Sequence, residues 1–328
     1  MIPRIFITGA SGFVGGTTTG ALRKAHPDYE VVVLVRNEGQ VNTLRQAWPD
    51  VEIIIGTLDD DGILATEGGK ADVVLHIASS DHMNAPQSII AGMGRGKKGR
   101  FIHISGTGVI NDVSTSLGDE STKVYDDVKD IQEIINLPMT AYHRSVDDAV
   151  IISGQEYGVP TAIICPPMIH GVGKGPCKKR SIQIPILIEA IVERGRAFTV
   201  GQGNNKWDHI HVRDLANAIV LMVEEALKPN GGAATWGPQG YYFVEAGEFA
   251  WREISAELAH LLHAQAKIAS SEVDKLTVEE ATKVHWWAPV LWGGNSRSRA
   301  SRIRTLEWMP DITTVSPTLP EMIQQVLK

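Results

Sequence analysis

The chain contains 328 residues, of which 43% are hydrophobic and 21% are charged; this composition is ordinary for a globular protein and excludes wholesale disorder. A formal net charge of −7 argues against a nucleic acid as the main partner. Two cysteines, Cys165 and Cys177, cannot form a disulfide scaffold or a four-cysteine zinc site, so we expect a reducing, cytoplasmic environment. No apolar run reaches the roughly 18 residues that a membrane span needs, and we expect no membrane partner.

Short apolar runs alternate with helix-like stretches through the first half of the chain. They are rich in β-branched residues and apolar on both faces, as strands buried on both sides of a sheet are. The runs cover residues 4–8, 31–35, 51–55, 72–77, 100–105 and 160–165. The first five start 20 to 28 residues apart, the size of a βα unit. The pattern predicts an α/β protein with a doubly wound parallel sheet, the Rossmann fold.

The rhythm changes after Pro166-Pro167, which ends the sixth strand. We expect a second, smaller lobe to be built mainly from the later residues. From residue 142 onwards the sequence predicts three helices, over 142–157, 182–194 and 248–263, and a strand over 208–212. It also predicts a helix that is capped by Asp214 and ends at Leu227.

A glycine-rich turn follows the first strand and opens the first helix, and this context gives its spacing a meaning. Gly9 permits a tight turn, Gly12 lets a pyrophosphate approach the backbone, and Gly15 lets the helix pack closely on the strand. The helix N-terminus adds unpaired N–H groups and a positive dipole end. The residues predicted to hold a dinucleotide here are Gly9, Ser11, Gly12, Phe13, Val14 and Gly15.

The end of the second strand bears on the choice of nucleotide. Arg36 stands where an acidic residue would accept hydrogen bonds from a ribose 2′-hydroxyl, and the nearest carboxylate is Glu38. A guanidinium there would pair with a 2′-phosphate, so the sequence favours NADP(H) and leaves NAD(H) open. After the third strand, Leu58 and Asp59 are expected to border the adenine.

Seven motifs are distributed along nearly the whole chain. They are Thr8-Gly9-x-x-Gly12-x-x-Gly15, Asp72-Val73-Val74-Leu75-His76-Ile77-Ala78, Ile104-Ser105-Gly106-Thr107, Cys165-Pro166-Pro167-Met168-Ile169-His170-Gly171, Val212-x-Asp214-Leu215-Ala216, Asn295-Ser296-Arg297 and Leu306-x-Trp308-x-Pro310. In these motifs and their order the chain resembles the extended and atypical short-chain dehydrogenase/reductase families, which include nucleotide-sugar epimerases and dihydroflavonol-reductase-like enzymes. The middle section around His143-Arg144-Ser145 resembles a poorly characterised, epimerase-like fungal branch.

This resemblance implies a substrate cleft over the nicotinamide and a split second lobe. It implies a dinucleotide-binding domain over residues 1–168, to which 207–229 return, and a discontinuous C-terminal substrate lobe mainly from 169–206 and 230–328. It also implies further cofactor contacts from the ends of the fourth, fifth and sixth strands. These contacts are Ala78, Ser79, Ser105, Pro166, Met168 and Ile169.

The resemblance further implies a catalytic Ser or Thr after the fifth strand and a Tyr-x-x-x-Lys pair, in which the ammonium lowers the tyrosine pKa. Thr107 matches the first position and Tyr142 the second, but Val146 replaces the lysine. The proton donor is therefore Tyr142 without its lysine or its neighbour His143. A literal pair at Tyr125 and Lys129 lies too far from Cys165 and is expected in a loop.

Three functions remain open from the sequence. The first is an NADP(H)-dependent oxidoreductase acting on a carbonyl or related group of a small organic molecule. The others are an epimerase or isomerase with bound NAD(P), and a non-catalytic NADP(H)-binding sensor. We predict no metal site, because His209-x-His211 offers too few ligands. A homodimer is compatible with the sequence.

Overall fold

A seven-stranded parallel sheet forms the centre of the fold in a computed structural model that describes residues 2–328. The strands of the whole described chain are β1 (Arg4–Thr8), β2 (Glu30–Val35), β3 (Glu52–Ile55), β4 (Val73–His76), β5 (Arg100–Ile104), β6 (Tyr125–Asp126), β7 (Thr161–Cys165), β8 (Met168–His170), β9 (Ala197–Val200), β10 (Lys206–His211), β11 (Tyr241–Phe243), β12 (Gly247–Ala250), β13 (Val273–Leu276) and β14 (Ser298–Arg299). Seven of them form the central sheet, in the order β3-β2-β1-β4-β5-β7-β11. The direction of winding reverses between β1 and β4, and ligands of such sheets bind at that point, beyond the carboxyl ends of the strands.

Helices cover both faces of this sheet, as the doubly wound pattern predicts. The helices of the described chain, including those of the second core, are α1 (Phe13–Ala25), α2 (Glu38–Ala47), α3 (Asp61–Lys70), α4 (Asn84–Arg95), α5 (Ile131–Ile134), α6 (Arg144–Tyr157), α7 (Gln183–Arg194), α8 (Val212–Leu227), α9 (Trp251–Ala264), α10 (Val278–Val284), α11 (Ser301–Arg304) and α12 (Leu319–Val326). One group pairs α1 with α8, and the other packs α3, α4 and α6 in series. The predicted fold class is confirmed.

The six predicted strands are confirmed to within one residue at each end. Five of them are largely buried apolar runs, whereas β3, at the edge of the sheet, is partly exposed. The predicted starts of α8 and α9 are wrong. Asp214 does not cap α8; the cap is His211, whose Nδ1 accepts from the backbone N–H of Arg213 at 3.2 Å. The helix predicted from residue 248 begins only at Trp251, because residues 247–250 pair as β12 with β10.

A second hydrophobic core is built mainly from residues after Pro167. It joins β9 to α7, α9 and α12 and contains the buried indoles of Trp251 and Trp292. The C-terminal third also returns to the main sheet, because β11 pairs with β7 and Ile303 packs in the first core. The domain boundaries themselves stay a prediction. Within residues 2–328, no helix combines the length and apolarity that crossing a bilayer would take.

Candidate active site

Tight packing requires glycine at two of the three glycine positions in the turn after β1. Gly9 has a φ of +87°, and a Cβ there would lie 2.7 Å from the backbone N of Ala78. A Cβ on Gly15 would lie 2.1 Å from the Gly9 carbonyl oxygen, so helix α1 could not approach the strand. The N–H of Gly12 donates to the Gly9 oxygen at 2.8 Å and closes the turn. The loop is therefore rigid without any ligand.

Gly12 itself has an ordinary backbone conformation, and an added Cβ would approach only the Gly9 oxygen, at 3.1 Å. Within the described residues no side chain caps the start of α1, and its first turn carries no acidic residue. Its first N–H groups, those of Phe13 and Val14, are thus left for an anion. This geometry fits a dinucleotide pyrophosphate, which explains the small residue at position 12.

The adenosine side of this site follows β2 and β3. Arg36 is exposed, and none of the ion pairs among residues 2–328 involves it. Leu58 is half-buried, whereas Asp59 is exposed and its carboxylate lies 3.0 Å from His82 Nε2. Arg36 is therefore available to a 2′-phosphate, and the Asp59–His82 contact joins the loops after β3 and β4.

Residues 171–180, which we call the strap, lie against this turn and the first turns of α1. The N–H of Lys178 donates to the Ser11 carbonyl at 3.2 Å, and the N–H of Lys174 donates to Thr17 Oγ1 at 3.1 Å. Gly16 and Gly175 meet back to back, since a Cβ on Gly175 would lie 2.6 Å from the Gly16 Cα. The strap thus places a segment from beyond β8 beside the expected pyrophosphate position.

The expected nicotinamide contacts come from the ends of β4, β5 and β7. Ala78 is exposed, and Ser79 Oγ accepts from the N–H of Asp81 at 3.2 Å. The Pro166 carbonyl accepts from the N–H of Thr107 at 2.9 Å, which joins the loops after β5 and β7. Ser105 is buried, and Ile169 is half-buried.

The side chain of Met168 is 1% exposed and packs in the second core. Its contact with the cofactor stays a prediction.

His143 lies between the loop after β4 and the turn after β5, at the cleft. It lies just before α6 with a left-handed φ of 65°, and its Nδ1 is 2.7 Å from the Asp81 carboxylate. Its Nε2 faces the turn after β5, 3.1 Å from where a Cβ on Gly108 would stand. The hydrogen bond from His143 lowers the pKa of Asp81, so that carboxylate is ionised and acts only as an acceptor. Nδ1 must then carry hydrogen, which leaves Nε2 to exchange a proton.

Thr107 and Tyr142 flank this imidazole in different environments. Thr107 is 2% exposed, and its Oγ1 is a buried hydroxyl with no partner within the described residues. Tyr142 is 43% exposed and its ring centre lies 6.4 Å from that of His143. It precedes α6 instead of beginning it, so the predicted helix start is wrong by two residues. The three predicted catalytic residues are close together, with His143 in the middle.

A row of polar side chains crosses the sheet beneath this centre. Thr8, His76 and His103 are neighbours in register on β1, β4 and β5. Thr8 Oγ1 and His76 Nδ1 share a 2.8 Å hydrogen bond, and the rings of His76 and His103 stack at 5.3 Å. His103 Nε2 lies 3.8 Å from Asp147, whose other carboxylate oxygen accepts from Tyr241 OH at 2.9 Å. All five side chains are almost completely buried.

Burial sets the charge of this row. It lowers the pKa of His76 to about 4 and that of His103 well below its usual value, so both imidazoles are neutral at neutral pH. Burial also raises the pKa of the Asp147 carboxyl to about 6. The sequence reasoning missed this row. A signal was present, since Thr8, His76 and His103 stand at the ends of three apolar strands.

Comparisons with known proteins agree with this geometry. The family model for the NAD dependent epimerase/dehydratase family matches residues 5–233. The chain belongs to this family. It is 32% identical over 343 aligned positions to the oxidase ucsJ from Acremonium sp, covering 100% of this chain and 97% of the relative. An uncharacterized protein of Schizosaccharomyces pombe is 30% identical over 68% of this chain and 71% of its own length.

Solved structures of the same architecture include dTDP-glucose 4,6-dehydratase from Bacillus anthracis in complex with NAD. It has a TM-score of 0.69 and 16% identity, with 98% of this chain and 96% of that chain covered. UDP-glucuronic acid 4-epimerase from Bacillus cereus in complex with NAD has a TM-score of 0.67 and 18% identity, with 99% and 100% covered. At these identities the likeness shows the fold alone.

Against the family's Tyr-x-x-x-Lys pattern, this chain departs at the lysine. Val146 is 2% exposed in the core, so nothing at that position reaches the cleft. Lys123 is held 2.6 Å from Glu133, and Lys174 lies on the strap beside α1. The literal pair is also excluded as a helical dyad, because Tyr125 lies in β6 and Lys129 in the turn after it. The Asp81–His143 pair is the charged arrangement that the cleft does contain.

A pair of histidines in the C-terminal half, His170 and His209, is buried. His209 Nδ1 and His170 Nε2 are 3.1 Å apart, and burial lowers the pKa of His170 to about 2 and of His209 to about 4. No group of three or more potential ligands among residues 2–328 has the geometry of a metal site. Trp292 and Trp308 are buried, whereas Trp286 is exposed.

Proposed function

We propose that the protein is an NADP(H)-dependent oxidoreductase of the extended short-chain type that reduces a carbonyl or related group of a small organic molecule. The observation that carries the proposal is the Asp81–His143 pair, 2.7 Å apart, at the carboxyl ends of the strands beside the switch point. Gly9, Gly12 and Gly15 would hold the pyrophosphate of the cofactor and Arg36 its 2′-phosphate. When bound, NADP(H) supplies the hydride.

The chain's own residues supply the proton. The ionised Asp81 carboxylate accepts from Nδ1–H of His143 and fixes the orientation of the ring. The protonated ring can then donate its Nε2 proton to the substrate oxygen as hydride reaches the carbon. Tyr142 stays the alternative donor, and the Thr107 hydroxyl is proposed to orient the carbonyl. The Asp81–His143 pair would thus replace the tyrosine and lysine of the family pattern.

Steady-state kinetics with NADPH and a broad panel of aldehydes and ketones test this proposal. His143→Ala should lower turnover about 10²-fold or more, the usual scale of general acid catalysis, with NADPH affinity nearly unchanged. Asp81→Asn keeps the size of the side chain but removes the charge, so it should also lower turnover. Tyr142→Phe and Thr107→Ala are matched variants for the alternative donor and for the carbonyl clamp.

Two results would contradict the assignment. Full turnover in His143→Ala with a large loss in Tyr142→Phe would make tyrosine the donor. NADPH binding without hydride transfer to any compound of the panel would overturn the reductase and favour the sensor, for which the buried Val146 is the supporting observation.

A further inference from the structure

Several large apolar side chains are exposed on the loops around the cleft. Six of the eleven that are substantially exposed belong to loops that lead into or out of the catalytic region. Ligand-binding clefts are the sites where such exposure is useful to a protein. The six are Met83, Val113, Met139, Tyr142, Ile182 and Trp286, and we call them the apolar rim.

Contacts between the rim's loops bring them to one region. The Asp81–His143 bond joins the loop of Met83 to that of Tyr142. Asn111 Nδ2 donates to the Val290 carbonyl at 3.2 Å, which joins the loop of Val113 to the segment after Trp286.

Gln183 Nε2 donates to the Leu291 carbonyl at 3.0 Å, and this bond joins the residue after Ile182 to the segment after Trp286. The rim is thus assembled from five separate segments of the chain.

The charges beside the rim do not suit a phosphorylated ligand. Asp81 and Asp112 place carboxylates on the loops after β4 and β5. Arg144, next to His143, is held by Asp148 at 2.9 Å. Arg297, two residues from the strand bridge that Asn295 makes with Asp112, is held by Glu248 at 2.6 Å. These two arginines are therefore already paired with carboxylates and are not free to bind a diphosphate.

We infer that the substrate is an uncharged, largely apolar carbonyl compound, and not a nucleotide sugar. The inference rests on the proposed function and names the substrate class of the same site. Apolar surface on five loops would be removed from water by such a molecule, while a carbonyl at its edge could meet His143 Nε2. A nucleotide sugar would place its charges against Asp81 and Asp112.

Isothermal titration calorimetry on the full chain saturated with NADP⁺ tests the inference, because the oxidised cofactor prevents turnover of a ketone. The probes are cyclohexanone, 1-decalone and UDP-glucose. Decalone should bind at least about tenfold more tightly than cyclohexanone, because it buries several more methylene groups. UDP-glucose should show no saturable binding.

Rim variants make the test specific. Met139→Glu and Ile182→Glu should each weaken decalone binding by about fivefold or more, because a carboxylate then meets an apolar ligand. Ile152→Glu is the matched control, since Ile152 is also exposed but lies on α6 outside the rim, and it should leave the affinity within about twofold.

Tighter binding of UDP-glucose than of decalone would overturn the inference, as would no saturable decalone binding, or unchanged affinity in both rim variants. Failure of the proposed function looks different: decalone then binds and responds to the rim variants, but no ketone of the panel is reduced.

Discussion

Arg36 is a single side chain on which cofactor choice is expected to depend. It follows β2, is exposed, and has no acidic partner among the described residues. Arg36→Ala should weaken NADPH by roughly 1.5–3 kcal/mol, the worth of a charge-assisted hydrogen bond, and NADH much less. Fluorescence titration of both nucleotides measures the difference. Arg45→Ala on the neighbouring helix α2 is the control, and equal losses for both nucleotides would show that Arg36 does not contact the phosphate.

Single residues also mark where sequence reasoning stops. Gly9 and Gly15 could be assigned because the turn between a strand and a helix restricts what fits there. His143 could be named only as an alternative to Tyr142. Its partner Asp81 is 62 residues away in the chain, and no local pattern announces a contact that depends on the meeting of two loops. The same holds for Met168, whose motif position did not reveal that it packs in the second core.

At the scale of whole elements, the six strands and the start of α7 were predicted to within one residue, whereas the starts of α6, α8 and α9 were not. A strand that is buried on both faces has an apolar run in its sequence, which can be recognised. The start of α6 depends instead on the left-handed turn at His143. The short strand β12 was hidden for a similar reason. Its four residues have no pattern of their own and are held by pairing with β10.

The polar row across β1, β4 and β5 predicts an unusual pH dependence of stability. The folded-state pKa of Asp147 is about 6, above its usual value of 3.8, because burial penalises the carboxylate. Between these values the folded state keeps a proton that the unfolded state loses, so this group makes stability fall as pH rises. The penalty is complete above about pH 6 and amounts to about 3 kcal/mol, since one pKa unit corresponds to about 1.36 kcal/mol.

Asp147→Asn tests this effect, because the amide oxygen can still accept from Tyr241 OH but cannot ionise. Relative to the wild type, the variant should gain up to about 3 kcal/mol of unfolding free energy between about pH 4 and pH 8. Urea unfolding of both proteins at the two pH values gives the difference, and the titrations of His76 and His103 largely cancel in it. A difference that does not change with pH would show that Asp147 is ionised throughout.

At the scale of the molecule, the strap connects the two hydrophobic cores to the cofactor site. It leaves β8, crosses the start of α1 and leads into α7, whose buried residues belong to the second core. Its contacts with Ser11 and Thr17 are made by the backbone N–H groups of Lys178 and Lys174. We therefore expect dinucleotide binding to stabilise both cores together. A homodimer is compatible with the sequence, and sedimentation analysis would test for it.

Gly175→Ala tests whether the strap belongs to the cofactor site. The new Cβ would stand 2.6 Å from the Gly16 Cα, so the strap must move away from α1. We expect a loss of about 1–3 kcal/mol of stability without cofactor, the usual cost of overpacking. A ligand stabilises a protein by RT ln(1 + [L]/Kd). If the variant binds NADPH more weakly, the gap in unfolding free energy between variant and wild type therefore widens once NADPH is added. Denaturant unfolding with and without NADPH measures both gaps.

Gly62→Ala is the control, since its Cβ would meet nothing within 4 Å. If the gap for Gly175→Ala is the same with and without NADPH, the strap supports the fold but does not help to hold the cofactor.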